Sequence, residues 1–418
     1  MQKRAAIQDD LLRKLFRLEQ AKMTAVLFRH FGLQHMEVAE DIVSETFLKA
    51  TESWRMTGIP ENPEAWLYVV AKNKAKDYLK RVALFESQIK EQLTSGRSEQ
   101  AEEPDFDQQT ITDSQLAMIF TVCNPVNSQG GQICLALQIL CGFSIAEIAA
   151  AFLTQTETIK KRLLRARNKL RGEGFQISQL SDSELVLRLD TVLRTLYLLF
   201  NEGYFSSSGK QLIRSELCAE AMRLTLLLVE NPQTSTDQCN ALLALMCFQS
   251  SRFEARINKA GENVLFEQQD KQLWNRELIE RGNFYLVNAC SGNSVSKYHL
   301  EAGIAYWHTV PDTGNKWNTI LQLYNQLLLI EYTPLTALNR TFAFSRVYGK
   351  EQAISEAEKL GLQDLNDYHA LLGYLYADIE ISSAIAHYQK AIKLTSSNIE
   401  KSALTKELQR LKRKTNEK

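Results

Sequence analysis

The sequence predicts an all-α protein, and three observations support this fold class. Apolar residues recur at intervals of three and four over residues 11–79, and the same spacing returns along most of the later chain. Alternating apolar and polar runs of useful length, which would predict strands, do not occur. With 418 residues, 44% hydrophobic and 23% charged, the chain is long enough for two or three ordered domains.

The first module, predicted at residues 1–82, contains an acidic helix, a loop and a basic aromatic helix. The side chains of the acidic helix that we expect to face inward are Val38, Ile42, Val43, Phe47 and Leu48. Those that we expect to face outward are Glu40, Asp41, Ser44, Glu45 and Lys49. Gly58, Pro60 and Pro63 then force a loop, and the second helix continues through Arg81.

An acidic linker is predicted at residues 83–113. The helical pattern breaks over residues 86–113, where eight acidic residues stand against Lys90 and Arg97. Such a composition is typical of a solvated tether that forms no core of its own.

The second module, predicted at residues 114–172, contains the spacing of a helix-turn-helix over residues 143–170. Its first helix has an apolar face made by Ile145, Ile148, Ala149 and Phe152, and the second has one made by Ile159, Leu163, Ala166 and Leu170. Residues 153–155 form the predicted turn, and we expect Thr156 to accept from free amides at the start of the second helix. The outward face of this helix is basic, which favours the DNA major groove, although amphipathic basic helices are also common elsewhere.

The charge of the chain is segregated. Its 49 basic and 49 acidic residues give a formal net charge of zero, which alone would argue against a nucleic-acid binder. The total, however, hides a basic helix in the second module and an acidic linker before it.

The third part, predicted at residues 181–418, shows little besides helical periodicity. Apolar stripes mark residues 185–200, 212–229, 237–250, 276–290, 299–310, 317–330 and 334–348. An all-α solenoid or superhelix is the simplest architecture for such an array. Residues 368–398 resemble a tetratricopeptide (TPR) unit, in which Gly373, Ala384, Tyr388 and Ala391 fall near packing positions.

Motifs for catalysis and for metal or cofactor binding are missing from the sequence. There is no Walker A loop, G-x-G-x-x-G, H-E-x-x-H or G-x-S-x-G, and residues 201–210 are interpreted as a surface loop. The seven cysteines form no C-x-x-C pair, so we interpret them as buried reduced thiols in preference to a disulfide framework or metal site. We therefore expect a cytoplasmic protein that is not an enzyme and needs no cofactor or metal.

Several motifs resemble bacterial sigma factors of the extracytoplasmic-function group. The motifs are Glu40-Asp41-Ile42-Val43-Ser44-Glu45-Thr46-Phe47, Asn62-Pro63-Glu64-Ala65-Trp66-Leu67-Tyr68, Asn73-Lys74-Ala75-Lys76-Asp77, Glu147-Ile148-Ala149 and Thr158-Ile159-Lys160. The first module is similar to region 2 of that family and the second to region 4. The remaining chain resembles the TPR-like helical extension of one subgroup. The resemblance also offers a second interpretation of the linker, as a polyanionic segment inside a basic channel of RNA polymerase.

The resemblance implies two of three sets of contact residues, and the basic helix supplies the third. Contacts to core RNA polymerase are expected from Asp41, Ser44, Glu45 and Lys49. Contacts to the promoter −10 element are expected from Asn62, Trp66, Lys72, Asn73, Lys76, Lys80 and Arg81. Candidates for the −35 element are Thr156, Glu157, Thr158, Lys160, Lys161, Arg162 and Arg165. Backbone or solvent contacts are expected from Arg167, Lys169 and Arg171.

Other interpretations of these residues stay open. Trp66 is equally suited to the core, and Asn73 and Asp77, four apart on one helix, could equally bond each other or a neighbouring backbone. The expected function is that of an alternative sigma factor with a fused domain that regulates it or binds a protein or small-molecule partner. The alternative is a TPR-type interaction protein or ligand-responsive regulator that carries a helix-turn-helix.

Overall fold

The computed structural model describes residues 19–90, 104–152, 154–172, 182–205, 211–256, 264, 266–292, 294–311 and 314–416. These residues form helices and no strand, which confirms the all-α prediction. The chain divides into two compact units: the first unit comprises residues 1–202 and 208–234, and the second comprises 203–207 and 235–418. Much of the predicted linker, Leu153 of the predicted turn and part of the 201–210 loop lie outside the described residues.

The first unit is built from helices that we number α1 to α9. Their bounds are α1 (residues 19–31), α2 (Met36–Thr57), α3 (Pro63–Lys90), α4 (Gln108–Val122), α5 (Gln129–Leu135), α6 (Ile145–Ala151), α7 (Thr156–Gly172), α8 (Asp182–Phe205) and α9 (Gln211–Glu230). The last residues of α8 belong to the second unit. A π-helical stretch, Ala136–Leu140, follows α5 directly.

Local sequence explains the turn between α2 and α3. Gly58 ends α2 with a positive φ of 83°, a conformation that favours glycine, and its amide donates to the Trp54 carbonyl at 3.0 Å. Asn62 begins α3 by accepting from the Ala65 amide at 2.9 Å through its Oδ1. α3 continues to Lys90 and α4 begins at Gln108, so both ends of the segment predicted as linker are helical.

The two short helices of the second module have separate start signals. Ser144 and Glu147 form a capping box at the start of α6. α7 begins at Thr156, and its first turn closes when the Ile159 amide donates to the Gln155 carbonyl. Thr156 is therefore the first helical residue and not the cap that the sequence suggested.

Helices α8 and α9 belong largely to the first unit, although residue 181 was the predicted start of a separate domain. The Thr195 hydroxyl of α8 donates to Gln132 Oε1 at 3.2 Å, and Arg223 Nη2 of α9 donates to the Leu140 carbonyl at 2.8 Å. These side chains tie both helices to the segment from α5 to α6. The change between compact units therefore comes near residue 234.

The second unit continues the helical array with α10 to α18. Their bounds are α10 (Asp237–Ser251), α11 (Arg276–Ala289), α12 (Lys297–Thr309), α13 (Lys316–Ile330), α14 (Pro334–Tyr348), α15 (Lys350–Lys359), α16 (Asn366–Tyr376), α17 (Ile381–Leu394) and α18 (Asn398–Asn416). Successive apolar clusters lie along α12–α14, α14–α16 and α16–α18. Each helix thus packs on its neighbours in the chain, as a solenoid requires.

The TPR-like segment forms the helix pair α16–α17. Ala384 and Ala391 are fully buried, and a Cβ on Gly373 would lie 3.0 Å from the Tyr388 ring. Small residues therefore let the two helices approach closely, which agrees with the packing roles predicted for these positions. The structure does not itself identify the pair as a TPR unit.

All seven cysteines lie within the described residues and form no disulfide bond there; six are buried and Cys290 is exposed. Burial raises the pKa of both Cys123 and Cys247 to about 12, because the apolar surroundings disfavour the thiolate. These thiols are therefore poor nucleophiles near neutral pH. No helix among the described residues is long and apolar enough to cross a membrane.

Replacement of Gly282 by alanine is expected to destabilise the second unit by about 1–3 kcal/mol. The new Cβ would lie 2.7 Å from Phe248 Cε1, and the Phe248 side chain is fully buried, with no space to move. Gly303→Ala is the matched control, since its Cβ would lie 3.3 Å from a flexible Leu323 methyl and alanine favours the helix. Urea unfolding of the full chain measures both variants, and equal stabilities would contradict the expected clash.

Candidate polymerase-binding and DNA-binding surfaces

The exposed face of α2 contains all the residues predicted to bind polymerase. Asp41, Ser44, Glu45 and Lys49 are exposed. Leu48 is also 60% exposed, which corrects the prediction that it faces inward. Phe47 occupies the core with Val43 and Ala50, and Leu48 lies about 100° further round the helix, beyond the buried stripe. Its spacing from Asp41, Ser44 and Glu45 is that of one helix face, a signal in the sequence that could have identified Leu48 as a surface residue.

Two predicted polymerase residues, Asp41 and Glu45, and one predicted −10 residue, Arg81, line one cleft between α2 and α3. Glu45 Oε2 lies 2.5 Å from Lys74 Nζ, and this ion pair joins the two helices. The cleft is lined by acidic, basic and uncharged side chains. They are Val38, Asp41, Ile42, Glu45, Lys74, Asp77, Tyr78 and Arg81. The α2 face and the start of the basic α3 surface are therefore continuous.

Two of the predicted −10 residues have structural roles at the start of α3. Asn62 is exposed and caps the helix, as described above. Trp66 is half-buried and packs edge-on against the buried Trp54, with ring centroids 5.4 Å apart. The Trp66 ring thus contributes to the core on one side and keeps accessible surface on the other, and its contact with the −10 element stays a prediction.

The remaining −10 candidates follow α3. Asn73, Lys80 and Arg81 are exposed, whereas Lys72 and Lys76 are half-buried. The Arg81 Nε donates to the Asp77 carbonyl at 3.3 Å. Within the described part of the chain, the side chains of Asn73 and Asp77 form no hydrogen bond with each other, so the alternative local role for Asn73 is not observed.

Helix α7 presents most of the predicted −35 residues to solvent. Its inward residues Ile159, Leu163, Ala166 and Leu170 are all buried, as predicted. The exposed residues are Thr156, Glu157, Thr158, Lys160, Lys161 and Arg165. Lys160 forms a 2.7 Å ion pair with Glu157, so part of its charge is already paired.

Arg162 differs from the other −35 candidates because it is half-buried against α5. Its Nη1 lies 3.8 Å from Cys134 Sγ, and a Cβ on Gly130 would lie 3.5 Å from the same guanidinium nitrogen. The guanidinium therefore lies directly against the backbone at Gly130. Arg165 lies three residues further along α7 and is exposed. Among the described residues, its side chain has no hydrogen-bond partner comparable to Cys134.

The basic residues at the end of α7 contact protein, which corrects the expectation of backbone or solvent contacts. Arg167 forms a two-pronged ion pair with Glu40 of α2 and also donates to Gln138 Oε1 at 3.0 Å. Arg171 pairs with Glu37, one turn earlier on α2. Lys169 Nζ donates to the Val126 carbonyl at 3.3 Å. Glu40, predicted to face solvent, is consequently half-buried.

The Glu37 pair has a predictable pH dependence. A hydrogen bond from its own backbone amide, together with Arg171, holds the pKa of the Glu37 carboxyl below its usual value of 4.5. A carboxyl whose pKa is lowered by folding stabilises the fold above its unfolded pKa, and this contribution is lost as the pH falls through the folded pKa. The α2–α7 contact therefore weakens in acid.

Removal of the Glu40–Arg167 pair is expected to reveal a coupling free energy on the order of 1 kcal/mol in a double-mutant cycle. The cycle uses Glu40→Gln, Arg167→Gln and the double variant, measured by urea unfolding of the full chain. Glu37→Gln with Arg171→Gln is the matched control, and its coupling should be only about 0.2–0.5 kcal/mol because exposed pairs are screened. The side chains of the first pair are 13% and 36% exposed, against 25% and 61% in the second. Equal coupling in the two cycles would contradict the prediction.

Comparison with known proteins places these surfaces in a family. Residues 15–84 match the sigma-70 region 2 domain. Residues 188–290 match a family of unknown function (DUF6596). Over 394 residues the chain is 31% identical to an uncharacterized protein from Rhizobium meliloti (strain 1021), with 92% of each chain covered. No solved structure matches the chain.

The match to region 2 covers α1, α2 and nearly all of α3 within the described residues, which is the part that holds the acidic face and the basic aromatic helix. The match to the relative covers nearly the whole chain, so the two proteins share the units on both sides of residue 234. The chain belongs to the same family as this relative, and its match to sigma-70 region 2 supports a sigma-70 family factor with a role in transcription initiation.

Proposed function

We propose that the chain is an alternative sigma factor of the extracytoplasmic-function group that binds core RNA polymerase in the cytoplasm, directs it to a two-part promoter and promotes local melting without catalysing a reaction. The observation that carries this proposal is the exposed face of α2, with Asp41, Ser44, Glu45 and Lys49, inside the segment that matches sigma-70 region 2. A face of this kind suits a basic partner surface.

The proposed −10 interface is the exposed side of the loop and α3. Opening of duplex DNA requires unpaired bases to be held outside the stack by aromatic and polar groups. The half-buried Trp66, the exposed Asn62 and the basic α3 residues supply such groups. Met56, 90% exposed at the end of α2, adds an apolar side chain near the same loop.

The proposed −35 interface is the start of α7, presented by α6 as in a helix-turn-helix. Residues near the start of a recognition helix reach base edges, and later basic residues hold phosphates. Thr156, Thr158 and Lys161 are exposed at that start, and Arg165 follows on the exposed side. Arg167 and Arg171 are excluded from this interface in the described arrangement because they pair with α2.

Transcription by purified core polymerase tests the proposal. The full chain is added to core enzyme on fragmented genomic DNA, and the 5′ ends of the transcripts are sequenced. We expect initiation at sites that share two sequence elements, and core enzyme alone is the control. An interaction protein or ligand-responsive regulator that merely carries a helix-turn-helix would give no transcripts above that control.

The second unit is proposed to regulate the sigma factor. A chain that ends after Thr234 should retain the contacts of α8 and α9 with the α5–α6 segment, whereas a cut at residue 181 would remove them. We expect the chain truncated at Thr234 to remain helical by circular dichroism and to change promoter-dependent transcription severalfold. Transcription equal to that of the full chain across growth conditions would instead make the second unit a separate binding platform.

A further inference from the structure

The second unit contains a compact cluster of aromatic and polar side chains around Phe266. The Phe266 ring centroid lies 5.2 Å from the Arg252 guanidinium carbon, 4.7 Å from the His308 ring and 6.1 Å from the Trp274 ring. These residues come from the end of α10, the segment before α11 and the end of α12. Trp317 of α13 extends the cluster, with its ring 5.8 Å from that of His308.

Within the described part of the chain, four buried polar atoms of this cluster and its adjoining segment have no hydrogen-bond partner. They are Arg252 Nε, Trp274 Nε1, His308 Nδ1 and Gln269 Oε1. Trp274 is only 7% exposed, so its indole N–H has little access to bulk water. A buried polar group without a partner costs free energy, and such groups are uncommon in folded proteins. Their concentration around one aromatic ring therefore points to a ligand that would satisfy them.

The charge around the cluster is positive. Burial, followed by the nearby Arg252 and Lys316 cations, lowers the pKa of His308 to about 3, so its imidazole is neutral near pH 7. Glu301 acts on the neighbouring Tyr324, but no acidic residue raises the pKa of His308. The environment that His308 senses is thus cationic.

Arg252 also lacks an acidic partner among the described residues. Its Nη2 donates to the Tyr204 hydroxyl at 3.3 Å. Arg340 offers a comparison within the same unit, because it too lies over an aromatic ring, that of Phe344, but forms a 3.1 Å ion pair with Glu356. A buried arginine normally pairs with a carboxylate or phosphate through planar, charge-assisted hydrogen bonds.

We propose that the cluster around Phe266 binds a small molecule that carries a carboxylate or phosphate group on a flat apolar body. The anionic group accepts from Arg252 Nε–H and Trp274 Nε1–H, and the flat body packs against the Phe266, His308 and Trp317 rings. The neutral His308 and the Gln269 carbonyl oxygen remain for polar groups on the ligand. The site lies partly within the DUF6596 match and partly beyond it, since His308 follows residue 290.

Calorimetric titration of the full chain with matched probes tests the proposal. The probes are benzoate, phenyl phosphate and the neutral benzamide, all at about 0.15 M salt so that surface charges are screened. We expect saturable binding of benzoate or phenyl phosphate at one site, and no saturable binding of benzamide. Tighter binding of benzoate would indicate a carboxylate ligand, and tighter binding of phenyl phosphate would indicate a phosphate ligand. Failure of both anions to bind would overturn the proposal.

Two variants and one matched control test whether the probe binds at Arg252 and Trp274. Arg252→Gln and Trp274→Phe each remove a donor, and we expect Arg252→Gln to weaken the binding of the tighter probe by about tenfold or more. Arg340→Gln removes an arginine from the other aromatic ring and should leave binding unchanged. Thermal unfolding of each variant without probe reports whether it is folded. Binding equal to wild type in a folded Arg252→Gln variant, or an equal loss in Arg340→Gln, would reject this site. Because promoter-directed transcription is not the readout, failure here would leave the proposed sigma function intact.

Discussion

The double variant Asp41→Lys, Glu45→Lys is expected to bind core RNA polymerase at least about tenfold more weakly. The new lysines would face a basic partner surface, and like charges that face each other across an interface cost several kcal/mol. Both positions are exposed on the same face of α2, so the substitutions leave the helix core unchanged. Glu45 pairs with Lys74, and its reversal also places two lysines close together. That local repulsion should be small because both side chains retain access to solvent.

The measurement is binding of a fluorescently labelled chain to core polymerase, with helical content checked by circular dichroism. Glu351→Lys with Asp364→Lys is the matched control, since it changes net charge equally at exposed acids of the second unit. Leu48→Ser tests the apolar part of the same α2 face and should weaken binding without any charge change. Unchanged affinity in the Asp41 and Glu45 double variant would remove this face of α2 from the docking role.

The inward faces of the helices could be predicted from the sequence because helical periodicity is a local property. The residues Ile159, Leu163, Ala166 and Leu170 of α7 show this, and all four are buried as predicted. Phe47 and Leu48 show the limit of the method, since both are apolar and adjacent and periodicity alone did not decide which one faces the core. α10 is buried on nearly all sides. A helix of that kind has no separate apolar and polar faces, so periodicity cannot indicate which side packs against the core.

The contact between α2 of the first module and α7 of the second module could not be predicted, because it depends on tertiary packing. Glu40 and Arg167 are 127 residues apart in the chain. The local sequence around each residue predicts a solvent-exposed charge on an amphipathic helix. The same limit applies to the unit boundary, since α8 and α9 join the first unit through tertiary contacts such as the Thr195–Gln132 and Arg223–Leu140 hydrogen bonds. The cluster around Phe266 likewise joins residues from α10, α12 and the segment before α11, none of which forms a recognisable motif.

Two arginines of α7 that look equivalent in the sequence should differ sharply in their effect on promoter recognition. Arg165 is exposed, so Arg165→Ala should cost about 1–3 kcal/mol in binding to the −35 element if its guanidinium reads a base edge. Arg162 is half-buried against Gly130 and Cys134, and Arg162→Ala should lower stability more than DNA selectivity. The difference follows from the structure alone, because both residues are basic and lie on the outward part of the predicted helix.

The test compares both variants on the −35 element found by transcript sequencing and on a scrambled duplex at the same salt concentration. Loss of a base contact lowers specific binding while non-specific binding changes little, whereas loss of a phosphate contact lowers both and reduces the salt dependence. We expect the first pattern for Arg165→Ala, and near-normal selectivity with a lowered unfolding midpoint for Arg162→Ala. Selectivity retained by Arg165→Ala would restrict base reading to the exposed start of α7, where Thr156, Thr158 and Lys161 remain as the side chains in position to contact a groove.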